Sequence, residues 1–142
     1  MMIRSLPAQQ HINWQRVPII TMLAAFSAAG INSLVYGIAV LVNLFPSTVL
    51  IPAAGRPLSI APVVAASVMG VLGGMIVFGL FSVWSTRSLH YFRIIASAVL
   101  VLSFVTPLTI PNAPVDMIVT LELMHVVIAL VVIAAAGTLL PA

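Results

Sequence analysis

Four long apolar runs, separated by short polar or proline-rich segments, set the pattern of this chain. They cover roughly residues 17–44, 60–83, 91–110 and 115–140. Each reaches the ~20 apolar residues that a helix needs to cross the hydrocarbon core of a bilayer. The pattern therefore predicts helices over about 18–44, 60–83, 91–110 and 115–140. The expected fold class is all-α: a four-helix transmembrane bundle, with residues 1–142 forming one integral membrane domain.

The breaks between the runs have local causes. Pro18 sits where the first helix should begin, and a first turn does not need the N–H that proline lacks. Pro46, Pro52, Gly55 and Pro57 make the 45–57 link too dense in breakers for a regular helix. The third helix should end near Pro107, and Pro111 and Pro114 bracket a second short turn. Asp116 then falls in the first turn of the fourth helix, where an acidic side chain complements the helix dipole. The first apolar run follows the polar segment Met1–Arg16. It is also longer than the ~7–15 residues of a signal-peptide core, so it reads as a retained helix. No internal repeat is visible, which gives no support to an inverted-repeat transporter.

Composition narrows the class. The chain is 63% apolar and 5% charged, against about 25% charged residues in a typical soluble domain. Its mean hydropathy is +1.29. These values exclude a water-soluble reading and leave no room for a soluble catalytic domain or a nucleic-acid surface. Cysteine is absent, which removes disulfides, thiolate metal sites and thiol redox chemistry.

Charge adds sidedness. Arg4 and Arg16 precede the first helix, and Arg87 and Arg93 lie between the second and third. Arg56 alone falls on the opposite side. By the positive-inside rule both termini and the 82–93 link are expected in the cytoplasm of a bacterial plasma membrane. Trp14, Trp84 and Tyr91 suit the aromatic belt on that side, and His11 and His90 read as interfacial.

Small residues mark packing faces. Gly70 and Gly74 on the second helix stand four apart, as do Ala29, Ser33 and Gly37 on the first. Such spacing lets two helix backbones approach closely. The glycine pair is expected to meet that stripe of the first helix or a partner chain.

Candidate chemistry centres on Glu122 and His125, the only ionisable residues inside a span. Groups of this kind are costly in lipid and point to function by default. Three residues apart, they share a face of the fourth helix. Counting rise per residue, Glu122 lies level with Tyr36 and His125 nearly level with Asn32. Ser103, Thr106 and Ser67 fall in the same half of the membrane. One reading is structural, with Glu122 bonded to Tyr36 or a serine and holding the bundle together. The other is a ligand or proton site. A di-iron centre would need a second Glu-x-x-His and further carboxylates, which the chain lacks. A zinc site would need more His or Cys. Cofactors are otherwise unassigned, and His125 alone remains a possible axial ligand to a tetrapyrrole.

One stretch carries a resemblance. Val101-Leu-Ser-Phe-Val-Thr-Pro-Leu108, followed by a turn and Leu123-Met-His-Val-Val127, resembles an uncharacterised family of small bacterial four-helix membrane proteins of unknown function. Ser103, Pro107, Met124 and His125 match the pattern by motif over about a third of the chain. The resemblance implies four helices and singles out His125. It implies no activity and does not extend to Glu122.

Two function classes follow. The first is a non-catalytic small subunit of a larger membrane complex, surrounded by lipid and other membrane subunits. The second is a self-contained site for a small amphipathic ligand or a proton at the Glu122–His125 layer, the ligand being a quinone, lipid or pigment.

Overall fold

The computed structural model describes residues 12–52 and 54–140. Arg4 and His11 therefore lie outside the described residues. Among those described, regular structure is helical apart from one isolated antiparallel bridge between Ile51 and Arg56. A 3-10 turn, Trp14–Arg16, leads into α1, Val17–Leu41. α2 covers Ile60–Trp84, α3 covers Ser88–Ser103, α4 is the single turn Val105–Leu108, and α5 covers Val115–Thr138. α3 and α4 form one continuous span of 21 residues. The four spans are each long and apolar enough to cross a membrane, and their wide exposed apolar surfaces suit a lipid surround.

The helix ends differ from the apolar runs where polar chemistry intervenes. α1 stops at Leu41, short of Leu44, because Asn43 adopts a left-handed conformation at φ 59°. Leu44 N–H then donates to Ala39 O at 2.8 Å and Asn43 N–H to Val40 O at 3.1 Å. This is the paired closure that terminates many helices, with Asn in the place glycine usually takes. The α3–α4 span is interrupted at Phe104, whose N–H reaches back only three residues, to Val101 O at 3.3 Å. Pro107 explains the irregularity. It has no N–H to give to the Ser103 carbonyl, and its ring crowds the turn before it.

α1 packs most extensively on α2, and α5 touches α1, α2 and α3. The buried face of α1 is Ala24, Ala28 and Asn32. This face is one residue away from the Ala29–Ser33–Gly37 stripe, about 100° around the helix. Those three stripe residues are only half-buried, and a methyl group at Gly37 would meet nothing within 4 Å.

The close helix crossing lies elsewhere. A Cβ at Gly70 would stand 2.8 Å from Ile128 Cγ2, and one at Gly74 would stand 2.6 Å from Val132 Cγ1. The glycine pair thus brings α2 against α5, not against the α1 stripe. The deciding factor is the bulk of the β-branched residues opposite, which fit only where α2 has no side chain.

The apolar core gathers Ala24, Ala28, Val71, Met75, Phe78, Phe92, Val132 and Ala136. It lies toward the end of the bundle that carries Arg16 and Arg87, called here the arginine end. There the Phe78 and Phe92 rings meet edge to face, with centroids 5.3 Å apart, and hold α3 on α2. At the opposite end, the long-loop end, Tyr36 stacks on Phe45 at 5.5 Å and donates to Leu58 O at 3.2 Å. These two contacts tie the proline-rich loop to α1.

Candidate functional site

Beyond the apolar core, toward the long-loop end, the bundle becomes polar. Asn32 on α1 is 1% exposed and Ser67 on α2 is fully buried. Asn32 Nδ2 donates to Ser67 Oγ at 2.9 Å and to Met124 O at 3.1 Å. Ser67 Oγ donates in turn to Val63 O at 2.8 Å. One side chain thereby joins α1, α2 and α5 in a layer where lipid offers no competing hydrogen bonds. Asn32 Oδ1 is enclosed and has no partner among the described residues.

His125 follows Met124 on α5 and is half-buried. Its Nδ1 lies 2.7 Å from Leu121 O, one turn back. The imidazole borders two spaces. The larger is a groove of about 390 Å³ between α2, α3 and α5, lined by Gly70, Gly74, Phe92, Ala96, Ser103 and Val132 among others. Its lining is almost wholly apolar, and part of its wall is glycine, which leaves the room. The smaller is a cavity of about 250 Å³ toward the long-loop end, lined by Asn32, Ser67, Leu58, Thr106, Pro107 and Met124 among others. Ala66, His125 and Ile128 line both.

The residues singled out in the sequence thus separate into two groups. Asn32, Thr106 and His125 border the smaller cavity, and Ser103 joins His125 on the groove. Ser103 Oγ donates within its own helix to Leu100 O at 2.7 Å. Tyr36 turns away to the Leu58 carbonyl. Glu122 lines neither space and makes no side-chain hydrogen bond or ion pair among the described residues. Two residues before Met124, it projects about 200° around α5 from that buried side chain. Tyr36 and Glu122 therefore do not pair, although counting residues along the sequence sets them level.

Two contacts were not readable from the sequence. The Met124 main-chain carbonyl is an anchor for Asn32, and residue type carries no signal for a carbonyl. Ser67 is visible as a polar residue in an apolar helix, but only its shared height with Asn32 marks it as a partner. Among the described residues no three His, Cys, Asp or Glu side chains cluster in a way that could hold a metal ion.

Comparison with known families matches residues 13–141 to a family of unknown function, DUF6069. That match spans all four membrane-length spans, and the chain belongs to this family. No curated protein and no solved structure matches it.

Proposed function

We propose that this protein is a non-catalytic integral membrane protein of a bacterial plasma membrane that holds a small amphipathic molecule within its bundle. The observation that carries the proposal is the place of His125, on the wall shared by an apolar groove and a cavity with polar groups. Small-molecule sites are typically concave, mostly apolar, and supplied with a few convergent polar groups. The groove suits an alkyl or isoprenoid tail, and the Asn32–His125 layer suits a head. A lipid, a quinone or a pigment has this form. If the molecule is a tetrapyrrole, His125 is the side chain placed to ligate it.

Arginine placement supports an orientation. Arg16, Arg87 and Arg93 share one end and Arg56 the other, which favours the arginine end in the cytoplasm.

A second reading rests on Glu122. Its carboxyl group stands about 10 Å into α5, counting from Val115 at ~1.5 Å per residue. It has no partner among the described residues. A partner helix offering a donor or a cation would meet it, and the protein would then be a small subunit of a larger membrane complex.

The test is extraction from its native membrane into lipid nanodiscs, followed by mass spectrometry and an absorbance spectrum. A stoichiometric amphipathic molecule, lost in His125→Leu, is the expected result. Bulk lipid alone, unchanged in that variant, would overturn the ligand reading. Co-purifying chains would support the second reading.

A further inference from the structure

The hydrogen-bonding sense of the polar layer points to the kind of head it accepts, an inference that rests on the ligand-binding reading above. The Asn32 amide has one chemically consistent orientation. The Met124 carbonyl can only accept, so the group facing it at 3.1 Å is the NH₂. The single proton of the Ser67 hydroxyl goes to Val63 O, so that hydroxyl accepts from Asn32. Both amide protons are thereby committed, and Oδ1 is left enclosed with no donor. A buried acceptor without a donor is unfavourable, and any group able to supply one gains from doing so.

His125 adds a second acceptor. Leu121 O can only accept, so the Nδ1 facing it carries the proton. In the neutral ring Nε2 is then the acceptor, and it has no hydrogen bond among the described residues. Asn32 and His125 both line the smaller cavity. Two residues that line this cavity thus each carry an unmet acceptor, Asn32 Oδ1 enclosed just behind the lining and His125 Nε2 on the ring, and a donor there would serve both.

We propose that this cavity takes the hydroxyl or N–H group of an otherwise apolar molecule, seated against Asn32 and His125, with its tail in the adjoining groove. A long-chain alcohol, an alkylphenol or a hydroquinone meets this requirement. Of the amphipathic molecules that fit by shape, those whose heads bear only carbonyls, such as an oxidised quinone or a simple ester, fit this layer less well, because they set acceptor against acceptor.

The experiment compares two probes of nearly the same shape, 4-octylphenol and its methyl ether 4-octylanisole. The ether lacks only the donor. Both are titrated into the full chain in lipid nanodiscs, and NMR signals of the Asn32 side-chain amide and the His125 ring are followed. The phenol should shift both signals and bind about tenfold more tightly than the ether, the size of one buried hydrogen bond. His125→Phe loses only a bond within its own helix, so the bundle persists. In that variant the phenol's advantage over the ether should shrink. Equal affinities of the two probes at these signals would overturn the donor requirement and leave the amphipathic site standing. If neither probe moves either signal, both proposals fall.

Discussion

Gly74 of α2 faces Val132 of α5 so closely that a methyl group at Gly74 would lie 2.6 Å from the valine Cγ1. Valine on a helix is held to nearly one rotamer, so it cannot swing aside, and the backbones must move instead. Gly74→Ala should destabilise the bundle by about 1–3 kcal/mol, the range for overpacking a fitted core. Gly73→Ala is the control, because a Cβ there meets nothing within 4 Å. It should be neutral or slightly stabilising, since alanine favours a helix over glycine by up to about 1 kcal/mol. Thermal unfolding in detergent distinguishes them. Equal melting temperatures for the two variants would mean that α2 and α5 do not cross at Gly74.

The Asn32 amide makes a sharper pair of variants. Asn32→Leu removes two interhelical hydrogen bonds but also removes the enclosed, partnerless Oδ1. Interhelical bonds in membranes average about 0.6 kcal/mol, so its cost should stay near 1 kcal/mol. Asn32→Asp is smaller in chemical change and larger in effect. Ionised, the new oxygen faces the Met124 carbonyl with a charge to bury; protonated, it supplies one proton where the amide supplied two. The substitution should cost at least ~2.5 kcal/mol, as central acidic residues do on insertion scales. A stability order with Asp above Leu would show that the amide does not point its NH₂ at Met124.

The spans were legible because their signal is cumulative: about twenty apolar residues in a row leave little else for a backbone to do in lipid. Heights along the helices were legible too, since rise per residue is constant. Asn32 and the 124–125 pair do meet at one level. Rotation about the helix axis was not legible. The helices are apolar on nearly every side, so no polar face marks the outside. The inward stripe of α1 therefore lies one residue from the one that small-residue spacing suggested, and Glu122 faces away from Met124 rather than toward Tyr36. The α1 end at Asn43 was missed for another reason. A single left-handed residue stops the helix while apolarity continues to Leu44.

Sidedness can be read with added cysteines, because the chain contains none. Ser47 on the proline-rich loop and Thr86 between α2 and α3 are both exposed and lie at opposite ends. With the arginine end in the cytoplasm, a membrane-impermeant maleimide should label Ser47→Cys in intact cells. It should label Thr86→Cys only after the membrane is permeabilised. The reverse pattern would turn the protein over and set the positive-inside bias aside.

Glu122 separates a lipid-facing carboxyl from one that awaits a partner. Half-buried on α5 and unbonded among the described residues, it is a cost to the isolated chain. Glu122→Leu should therefore stabilise the isolated protein, by up to about 2–3 kcal/mol at this depth. Few substitutions inside a bundle are expected to stabilise it, so the sign alone is informative. Glu122→Gln should fall between the two, because an amide cannot ionise and keeps the polarity. If a neighbouring subunit supplies a donor, the same Glu122→Leu variant should lose co-purifying chains under conditions where the unaltered protein keeps them. Greater stability together with lost assembly would place Glu122 at a subunit interface. Greater stability with no partner lost would leave it at the lipid boundary. A less stable Glu122→Leu would mean that the carboxyl is satisfied inside the bundle, and the subunit reading would lose its support.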